Sequence, residues 1–351
     1  MASPGREVDS RLPEFVFELH ACRWAELAWP PDTRPHDGPI IVSRQLGTRR
    51  RRWDTVILAC NETGLAQRRL FGTERLTGNL LDVIKHAPAT WEWYRDALPY
   101  PGYPWRYVRE SIHEAADRGI LETRKNGNRI EIKRKWRYPS WVERIIAIEH
   151  KPDLDASAAN ALAAQLDYDI AAGIADEVWL ATATDDAAVP AALLEAMPVE
   201  AGVLSLDVMD LSATVLWHPR RLDTSEAGTR ILERSSASGI DASASRFEYI
   251  EPDDKVSIRD RIAERAYERG WRAAIDSMRP DCRHFILAEE TRTHEPSCAA
   301  KERPQTAGEC SHACPHFEPE PPSWRQSGWP IEGGPGKGIK SLYARQRQRF
   351  R

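Results

Sequence analysis

The amino-acid sequence predicts an α/β protein with a mixed sheet and flanking helices, and two sets of segments carry this prediction. Near the N-terminus, "IIVSRQL" from residue 40 and "RWDTVILAC" from residue 52 have the composition of strands. Further along, the apolar run "RIIAIEHK" precedes an alanine-rich helix and the run "EVWLATA". A strand, a helix and a strand in such a short stretch form a crossover unit, which favours a parallel sheet.

The remaining core elements flank these segments. The segment "EFVFELHACRWAELA", residues 14–28, has apolar residues at helical spacing and predicts the first helix. Its Glu14, Glu18, Cys22 and Glu26 form one i, i+4 row along that helix. The runs "VLSLDV" and "TVLWHP" extend the predicted sheet.

At 351 residues the chain is long enough for more than one module. Changes in composition predict six regions. They are 12–73, the first part of the core; 74–138, an inserted module; 139–220, the second part of the core; 221–280, a linker and an amphipathic helix; 281–318, a segment with four cysteines; and 319–351, a flexible basic tail.

Composition and sequence pattern argue against three broad classes of protein. The chain carries 53 acidic and 49 basic side chains and a formal charge of -4, so it is not basic throughout, and any nucleic-acid site must be local. No apolar run approaches the roughly 18 residues of a membrane span. The N-terminus also lacks the apolar run of a secretory signal. We therefore expect a cytoplasmic protein.

The inserted module has the pattern of a winged helix. Three helical segments, "TGNLLDVIKHA", "TWEWYRDAL" and "YPWRYVRESIHEAADRGI", precede a hairpin that we expect to turn at Asn126 and Gly127 as type I'. Cations and aromatic rings alternate on the hairpin and its flank, which suits contact with phosphates and bases. The candidate nucleic-acid-binding residues are Arg124, Lys125, Arg129, Lys133 and Lys135. The alternative is a solvated charged hairpin that packs on its neighbour.

The strand "RIIAIEHK" ends in Glu149 and Lys151, which point to the same side because strand side chains alternate. Together with Asp54 on an earlier strand, these residues supply what metal-assisted phosphodiester cleavage needs. Two carboxylates can hold Mg²⁺ or Mn²⁺, and a lysine can orient the attacking water and balance developing charge. The alternative is an ordinary ion pair at a strand end, worth under about 1 kcal/mol.

These residues resemble the PD-(D/E)XK nuclease superfamily, which has the restriction-endonuclease-like fold. The resemblance rests on Asp54 in "RRRRWDTVIL", Glu149 and Lys151 in "IIAIEHK", and Gln165 and Tyr168 in the helix that follows. Asp54 and Glu149 are 95 positions apart, so the resemblance requires the winged-helix-like module to be an insertion between them. The whole chain also resembles a haloarchaeal family of uncharacterised proteins.

The resemblance to PD-(D/E)XK nucleases implies a role for each matching residue. It implies that Asp54 and Glu149 are ligands of Mg²⁺ or Mn²⁺, that Lys151 is the catalytic lysine, and that Gln165 belongs to the site. In such families an acid on the first helix adds a ligand. Here it implies Glu18 in that place, with Glu14 or Glu26 as substitutes.

A second metal site is predicted near the C-terminus. Cys282, Cys298, Cys310 and Cys314 follow the pattern C-x15-C-x11-C-x3-C, and four thiolates hold either zinc or a 4Fe-4S cluster. The neighbouring histidines His284, His294, His312 and His316 are substitutes for a zinc site. Some PD-(D/E)XK branches carry an iron-sulfur cluster with one N-terminal ligand, which implies Cys22 for that position. The alternative is four unconnected reduced cysteines.

Three functions fit these patterns. The first is a metal-dependent nuclease that hydrolyses DNA, with RNA as the other possible substrate. The second is a non-enzymatic DNA-binding protein, a regulator or repair accessory factor, with a catalytically silent nuclease-like scaffold. The third is an RNA-processing or repair accessory factor that acts with a helicase.

Overall fold

The computed structural model describes residues 14–31, 38–48, 50–154, 156–183, 195, 197–233, 246–271, 282–287, 296–304 and 314–318. Its helices are α1 (Glu14–Ala28), α2 (Glu62–Arg68), α3 (Gly78–His86), α4 (Tyr94–Ala97), α5 (Trp105–Asp117), α6 (Ala156–Ala172) and α7 (Pro252–Arg269). Its strands are β1 (Ile40–Gly47), β2 (Arg52–Cys60), β3 (Glu92–Trp93), β4 (Leu121–Asn126), β5 (Arg129–Arg134), β6 (Val142–His150), β7 (Glu177–Ala183), β8 (Gly202–Asp207), β9 (Ser212–Trp217), β10 (Gly228–Glu233), β11 (Arg246–Ile250), β12 (Phe285–Leu287), β13 (Pro296–Cys298) and β14 (Arg303–Pro304).

A mixed six-stranded sheet is the centre of the described structure, with the strand order β1-β2-β6-β7-β8-β9. Strands β6, β7 and β8 run parallel, and helix α6 is the crossover between β6 and β7. The other neighbouring pairs are antiparallel. The predicted α/β class and its mixed sheet with flanking helices are confirmed at this level.

Helices cover both faces of this sheet, which explains why its central strands read as continuous apolar runs. On one face, Val56, Leu58 and Ala147 pack with residues of α2, α6 and α7. On the other face, Ile57 and Ile148 pack with Phe17 and other residues of α1. Side chains two positions apart on a strand share a face, so Asp54 lies on the same face as Val56, and Glu149 on the same face as Ala147. This is the face that α6 covers.

The chain between β2 and β6 builds a second core of its own. Leu80, Val108, Ile112 and Ile132 are buried there together with further residues of α3, α5 and the hairpin. The predicted second helix, "TWEWYRDAL", differs from the structure: it begins as strand β3, and only Tyr94–Ala97 is helical. The reason is tertiary, because β3 pairs with β5 and completes a three-stranded sheet of order β3-β5-β4.

The hairpin turn also differs from its prediction. Strand β4 includes Asn126, and the two turn residues are Gly127 and Asn128. Gly127 has a φ of +59°. Asn128 is not among the described residues that have a positive φ. A type I' turn requires positive φ at both central residues, so the type I' prediction is wrong.

Helix α7 joins the inserted module to the main sheet. Its fully buried Glu264 accepts hydrogen bonds from Arg68 Nε at 2.6 Å, from the Leu76 backbone at 2.8 Å and from Tyr138 Oη at 2.7 Å. Removing one partner of such a buried ion pair costs roughly 3–5 kcal/mol, because the other charge stays buried and uncompensated. Glu264 is therefore a major determinant of how the two parts are held together.

The predicted linker after the sheet is only partly irregular. Residues 228–233 form β10, which pairs with β11 across a stretch that lies outside the described residues. The predicted basic tail, 319–351, also lies outside them. Among the helices that are described, none is both long and apolar enough to cross a membrane.

Candidate active site

The register between β2 and β6 brings Asp54 and Glu149 together. Thr55 pairs with Ile148, so the next residues outward, Asp54 and Glu149, face each other across antiparallel strands. A hydrogen bond fixes this position, since the His150 backbone N–H donates to Asp54 Oδ2 at 2.9 Å. The inserted module lies between these two strands in the sequence and leaves their pairing intact.

Lys151 completes the predicted trio at the end of β6. Its backbone N–H donates to the carbonyl of Ala181 on β7 at 2.9 Å, which ties the end of β6 to the parallel sheet. Its side chain lines a cleft of about 340 Å³ together with Asp54, Glu149 and Gln165. The structure therefore brings the predicted trio and Gln165 to one cleft. Tyr168 is half-buried on α6 and is not part of that lining.

Gln45 is a site residue that the sequence patterns did not reveal. Its side-chain amide donates to Glu18 Oε1 at 2.9 Å and to Asp54 Oδ1 at 3.0 Å, so it links the two carboxylates. It has a φ of +51°, in the left-handed region that non-glycine residues rarely adopt. Such strain persists where the surrounding structure enforces it, here in the middle of a paired strand.

The predicted acids of α1 occupy different environments. Glu18 is buried and pairs with Arg44 Nε at 3.1 Å, and burial raises the pKa of its carboxyl. It contacts Asp54 through Gln45 and does not line the cleft, whereas the exposed Glu14 does. Glu26 is buried and lies outside the cleft lining. Glu14 is therefore the α1 acid with direct access to the cleft.

Glu149 is a buried carboxylate whose charge is incompletely balanced. Only 5% of the residue is exposed, and burial together with the nearby Asp54 raises its pKa to about 8. Arg51 opposes this shift, since its Nη2 lies 2.7 Å from Glu149 Oε1, although the two atoms are not aligned as a hydrogen bond. A cation added beside Glu149 would favour its ionised form.

Arg51 and Asp169 are two further residues that the sequence patterns did not single out. The Nε of Arg51 donates to Asp169 Oδ1 at 3.2 Å and to Asp169 Oδ2 at 3.0 Å, and Asp169 is buried on α6. The sequence does contain one sign of Asp169: it lies four residues after Gln165, and residues at this spacing share one face of a helix.

His150 contributes its backbone to the site and its ring to the core. The ring packs edge-on against Phe17 of α1 at 5.6 Å between centroids, and burial lowers its pKa to about 4. Neither ring nitrogen has a hydrogen-bond partner among the described residues. The buried imidazole therefore belongs to the apolar packing on the α1 face.

The basic hairpin carries its cations partly over aromatic rings. Arg124 lies 4.6 Å from the ring centroid of Trp91, and Arg129 lies 4.6 Å from that of Trp93. Lys133 and Lys135 lie further out, at 5.6 Å from Trp91 and 5.9 Å from Trp136.

Acids on the same hairpin neutralise some of its cations. Glu131 pairs with Arg124 at 2.6 Å, and Glu122 lies 3.6 Å from Lys133. Three predicted hairpin contacts are exposed and outside these two pairs, namely Lys125, Arg129 and Lys135. Their charges are therefore the most available to a ligand.

The cysteine segment is partly described. Cys282 is buried beside Phe317, with Cys314 packed against them, and Cys298 pairs across the small sheet with Phe285. Cys310, His294 and His312 lie outside the described residues. Within the part of the chain that is described, no three His, Cys, Asp or Glu side chains are grouped as the ligands of one metal ion. Cys22, the implied N-terminal ligand, is buried against the main sheet, with its Sγ 3.0 Å from Thr55 Oγ1.

The raised pKa of Glu149 predicts a pH-dependent stability. In the unfolded chain this carboxyl ionises near its ordinary pKa of 4.5, whereas in the folded chain it stays protonated to about pH 8. Ionisation therefore favours unfolding, and the free energy of unfolding is expected to fall as the pH rises from about 5 to 8. The fall is on the order of a few kcal/mol, since one pKa unit corresponds to about 1.4 kcal/mol.

We expect Glu149→Gln to lose much less stability than the wild type over that pH range. Denaturant unfolding in buffer without divalent cations measures the difference. Glu143→Gln, an exposed site on the same strand, is the control and should follow the wild-type curve. Parallel curves for the wild type and Glu149→Gln would contradict the predicted shift.

Comparison with known proteins assigns the chain to a protein family. No match was found in a search of curated proteins, and none in a search of solved structures. One family does match, over residues 41–319, which include most of β1 and all of β2, the inserted module, β6 and the cysteine segment. The chain belongs to that family, described as "Family of unknown function (DUF5787)".

Proposed function

We propose that the protein is a metal-dependent nuclease of the PD-(D/E)XK type that hydrolyses phosphodiester bonds of DNA. The observation that carries this proposal is the position of Asp54 directly opposite Glu149, with Lys151 on the same cleft. The sequence resemblance required this convergence across 95 positions, and the β2–β6 pairing meets the requirement. An ordinary strand-end ion pair would have no reason to share a cleft with a second carboxylate.

The donor set suits Mg²⁺ or Mn²⁺. Each oxygen of Asp54 accepts one hydrogen bond, from Gln45 or from the His150 backbone, and these bonds orient it. Asp54 and Glu149 offer hard oxygen ligands, and Mg²⁺ is commonly held by one or two carboxylates while it keeps several waters. When bound, such an ion would polarise the phosphodiester and lower the pKa of an attacking water.

Lys151 and Gln165 have the remaining roles in this proposal. The Lys151 ammonium would orient the attacking water and offset the negative charge that develops on the phosphorus oxygens. Gln165, exposed on α6 at the edge of the cleft, would donate to or accept from the substrate backbone. Glu14 is the α1 acid placed to assist them, and Glu18 would act at one remove by orienting Gln45 and, through it, Asp54.

We propose that the inserted module is a winged helix that binds nucleic acid. The element order α3-β3-α4-α5-β4-β5 and the sheet order β3-β5-β4 support this assignment. Seven basic and two acidic side chains lie between residues 121 and 137, and this local excess of positive charge suits a phosphate backbone. The nearby Trp91 and Trp93 add aromatic surface under these cations.

A second candidate function is a DNA-binding protein whose nuclease-like scaffold is silent. One observation favours it: Arg51 is already paired with Glu149, so a guanidinium rather than a metal ion partly balances that carboxylate. In this case the winged-helix-like module would be the functional part.

We also propose that the cysteine segment holds a structural zinc ion or a 4Fe-4S cluster. The pairing of β12 with β13 sets Cys298 beside Phe285, three residues from Cys282. The Arg283 N–H donates a hydrogen bond to the Glu318 carbonyl at 2.7 Å, which brings the turn segment 314–318 and its Cys314 against the same unit. Three of the four cysteines thus belong to one small unit with little apolar core, which is the setting in which a metal contributes to folding.

Cleavage assays test the nuclease proposal. Wild-type protein with Mg²⁺ or Mn²⁺ is expected to cut at least one of linear duplex, supercoiled and single-stranded DNA. Asp54→Asn, Glu149→Gln and Lys151→Met should each lower the rate by roughly 10²-fold or more. Glu143→Gln is the control and should leave the rate unchanged. DNA binding without cleavage under all these conditions would reject the nuclease and leave the second candidate.

Salt-dependent binding tests the hairpin. Lys125→Gln and Arg129→Gln should each weaken DNA binding and lower the slope of log affinity against log salt by about 1, because each removes one phosphate contact. Arg23→Gln, an exposed site on α1, is the matched charge control. Unchanged affinity in both hairpin variants would favour a solvated hairpin with no role in binding.

Elemental analysis tests the cysteine segment. Protein purified without oxygen should contain about one zinc, or about four irons with visible absorption near 400 nm. Cys298→Ser and Cys314→Ser should lower that content, whereas Cys60→Ala, in the buried end of β2, should retain it. Neither zinc nor iron in the wild type would contradict the proposal.

A further inference from the structure

Arg51 lies in a turn whose backbone is tightly constrained. The Thr48 N–H donates to the Arg51 carbonyl at 2.7 Å, and the Arg51 N–H donates to Thr48 Oγ1 at 3.0 Å. A Cβ on Gly47 would lie 2.4 Å from the Arg51 carbonyl oxygen, so only glycine permits this approach. Arg265 of α7 also donates to the Gly47 carbonyl at 2.8 Å. The turn that presents Arg51 is therefore anchored from two sides.

Asp169 fixes the guanidinium of Arg51 from the opposite side. It is 2% exposed, and both of its oxygens face Arg51: Nε lies 3.2 Å from Oδ1 and 3.0 Å from Oδ2, and Nη2 lies 3.0 Å from Oδ2. A buried carboxylate that faces a guanidinium in this way holds its plane as well as its position. A lysine in place of Arg51 has a single ammonium nitrogen and could not contact Asp169 through two nitrogens.

The same guanidinium reaches the candidate metal ligand. Arg51 Nη2 lies 2.7 Å from Glu149 Oε1, and Nη1 donates to the Arg52 carbonyl at 2.9 Å. All three guanidinium nitrogens thus face oxygen atoms of the protein. Arg51 is therefore placed between three protein groups, the carboxylates of Glu149 and Asp169 and the Arg52 carbonyl.

We infer that Arg51 and Asp169 form a positioning pair that orients Glu149 for metal binding. This inference rests on the proposed function and names two residues that support its ligand. Arg51 holds Oε1 of Glu149 and leaves Oε2 for the cation, while Asp169 keeps Arg51 in place. Groups of this kind, bound to a ligand and not to the metal, typically change metal affinity by 10- to 100-fold when they are removed.

Mn²⁺ binding to the full-length protein, measured by calorimetry without nucleic acid, tests the inference. Arg51→Gln and Asp169→Asn should each weaken Mn²⁺ binding about 10-fold or more. Because the two residues act as one unit, we expect their effects not to add. The double variant should bind Mn²⁺ with about the same affinity as the single variant that binds it less tightly. Arg51→Lys, which keeps the charge and loses the contact through two nitrogens, should regain only part of the affinity. Arg50→Gln, exposed in the same turn, is the control and should bind as the wild type does.

The outcomes separate this inference from the proposed function. Mn²⁺ binding that is lost in Asp54→Asn and unchanged in Arg51→Gln and Asp169→Asn would overturn the positioning pair alone. Tighter Mn²⁺ binding in Arg51→Gln would also overturn it, because Arg51 would then be a competitor of the cation. A wild-type protein that binds no Mn²⁺ would overturn both. Circular dichroism checks that each variant is folded. If Arg51→Gln does not fold, Asp169→Asn still tests the inference.

Discussion

The antiparallel register of β2 on β6 is the constraint on which the candidate site depends. Side chains directly opposite each other on antiparallel strands share a face, so one pairing decides which residue Glu149 meets. With Thr55 opposite Ile148, that residue is Asp54. A shift by one residue would turn the row that carries Asp54 to the opposite face of the sheet, where α1 packs. The apolar cores on both faces therefore enforce the geometry of the site.

The electrostatics of the site follow from the burial that this register imposes. Four acids, Glu18, Asp54, Glu149 and Asp169, lie close together around one end of the neighbouring strands β2 and β6, where burial makes unpaired charge costly. The protein compensates with Gln45 between Glu18 and Asp54, and with Arg51 between Glu149 and Asp169. The compensation is partial, because the pKa of Glu149 remains raised to about 8. Incomplete compensation of this kind is typical of sites that bind or transform a charged ligand.

The inserted module interrupts the sequence between the two strands without disturbing their pairing, because it has its own core and its own sheet. Its attachment is concentrated at α7. There Glu264 binds Arg68, Tyr138 and the backbone of Leu76, and Lys85 of α3 pairs with Asp260 at 2.5 Å. These polar contacts to one helix give the module a defined position next to the sheet.

Local patterns in the sequence determined the elements and the identity of the predicted trio, Asp54, Glu149 and Lys151. The apolar runs of β2, β6 and β7 and the helical spacing of α1 predict these elements correctly, since periodicity is a local property. Only the tertiary structure decided that Asp54 faces Glu149, that β3 is a strand, and that Gln45, Arg51 and Asp169 belong to the site. The physical reason is that these facts depend on which distant segments pair and which charges become buried together, and neither is encoded in spacing along the chain.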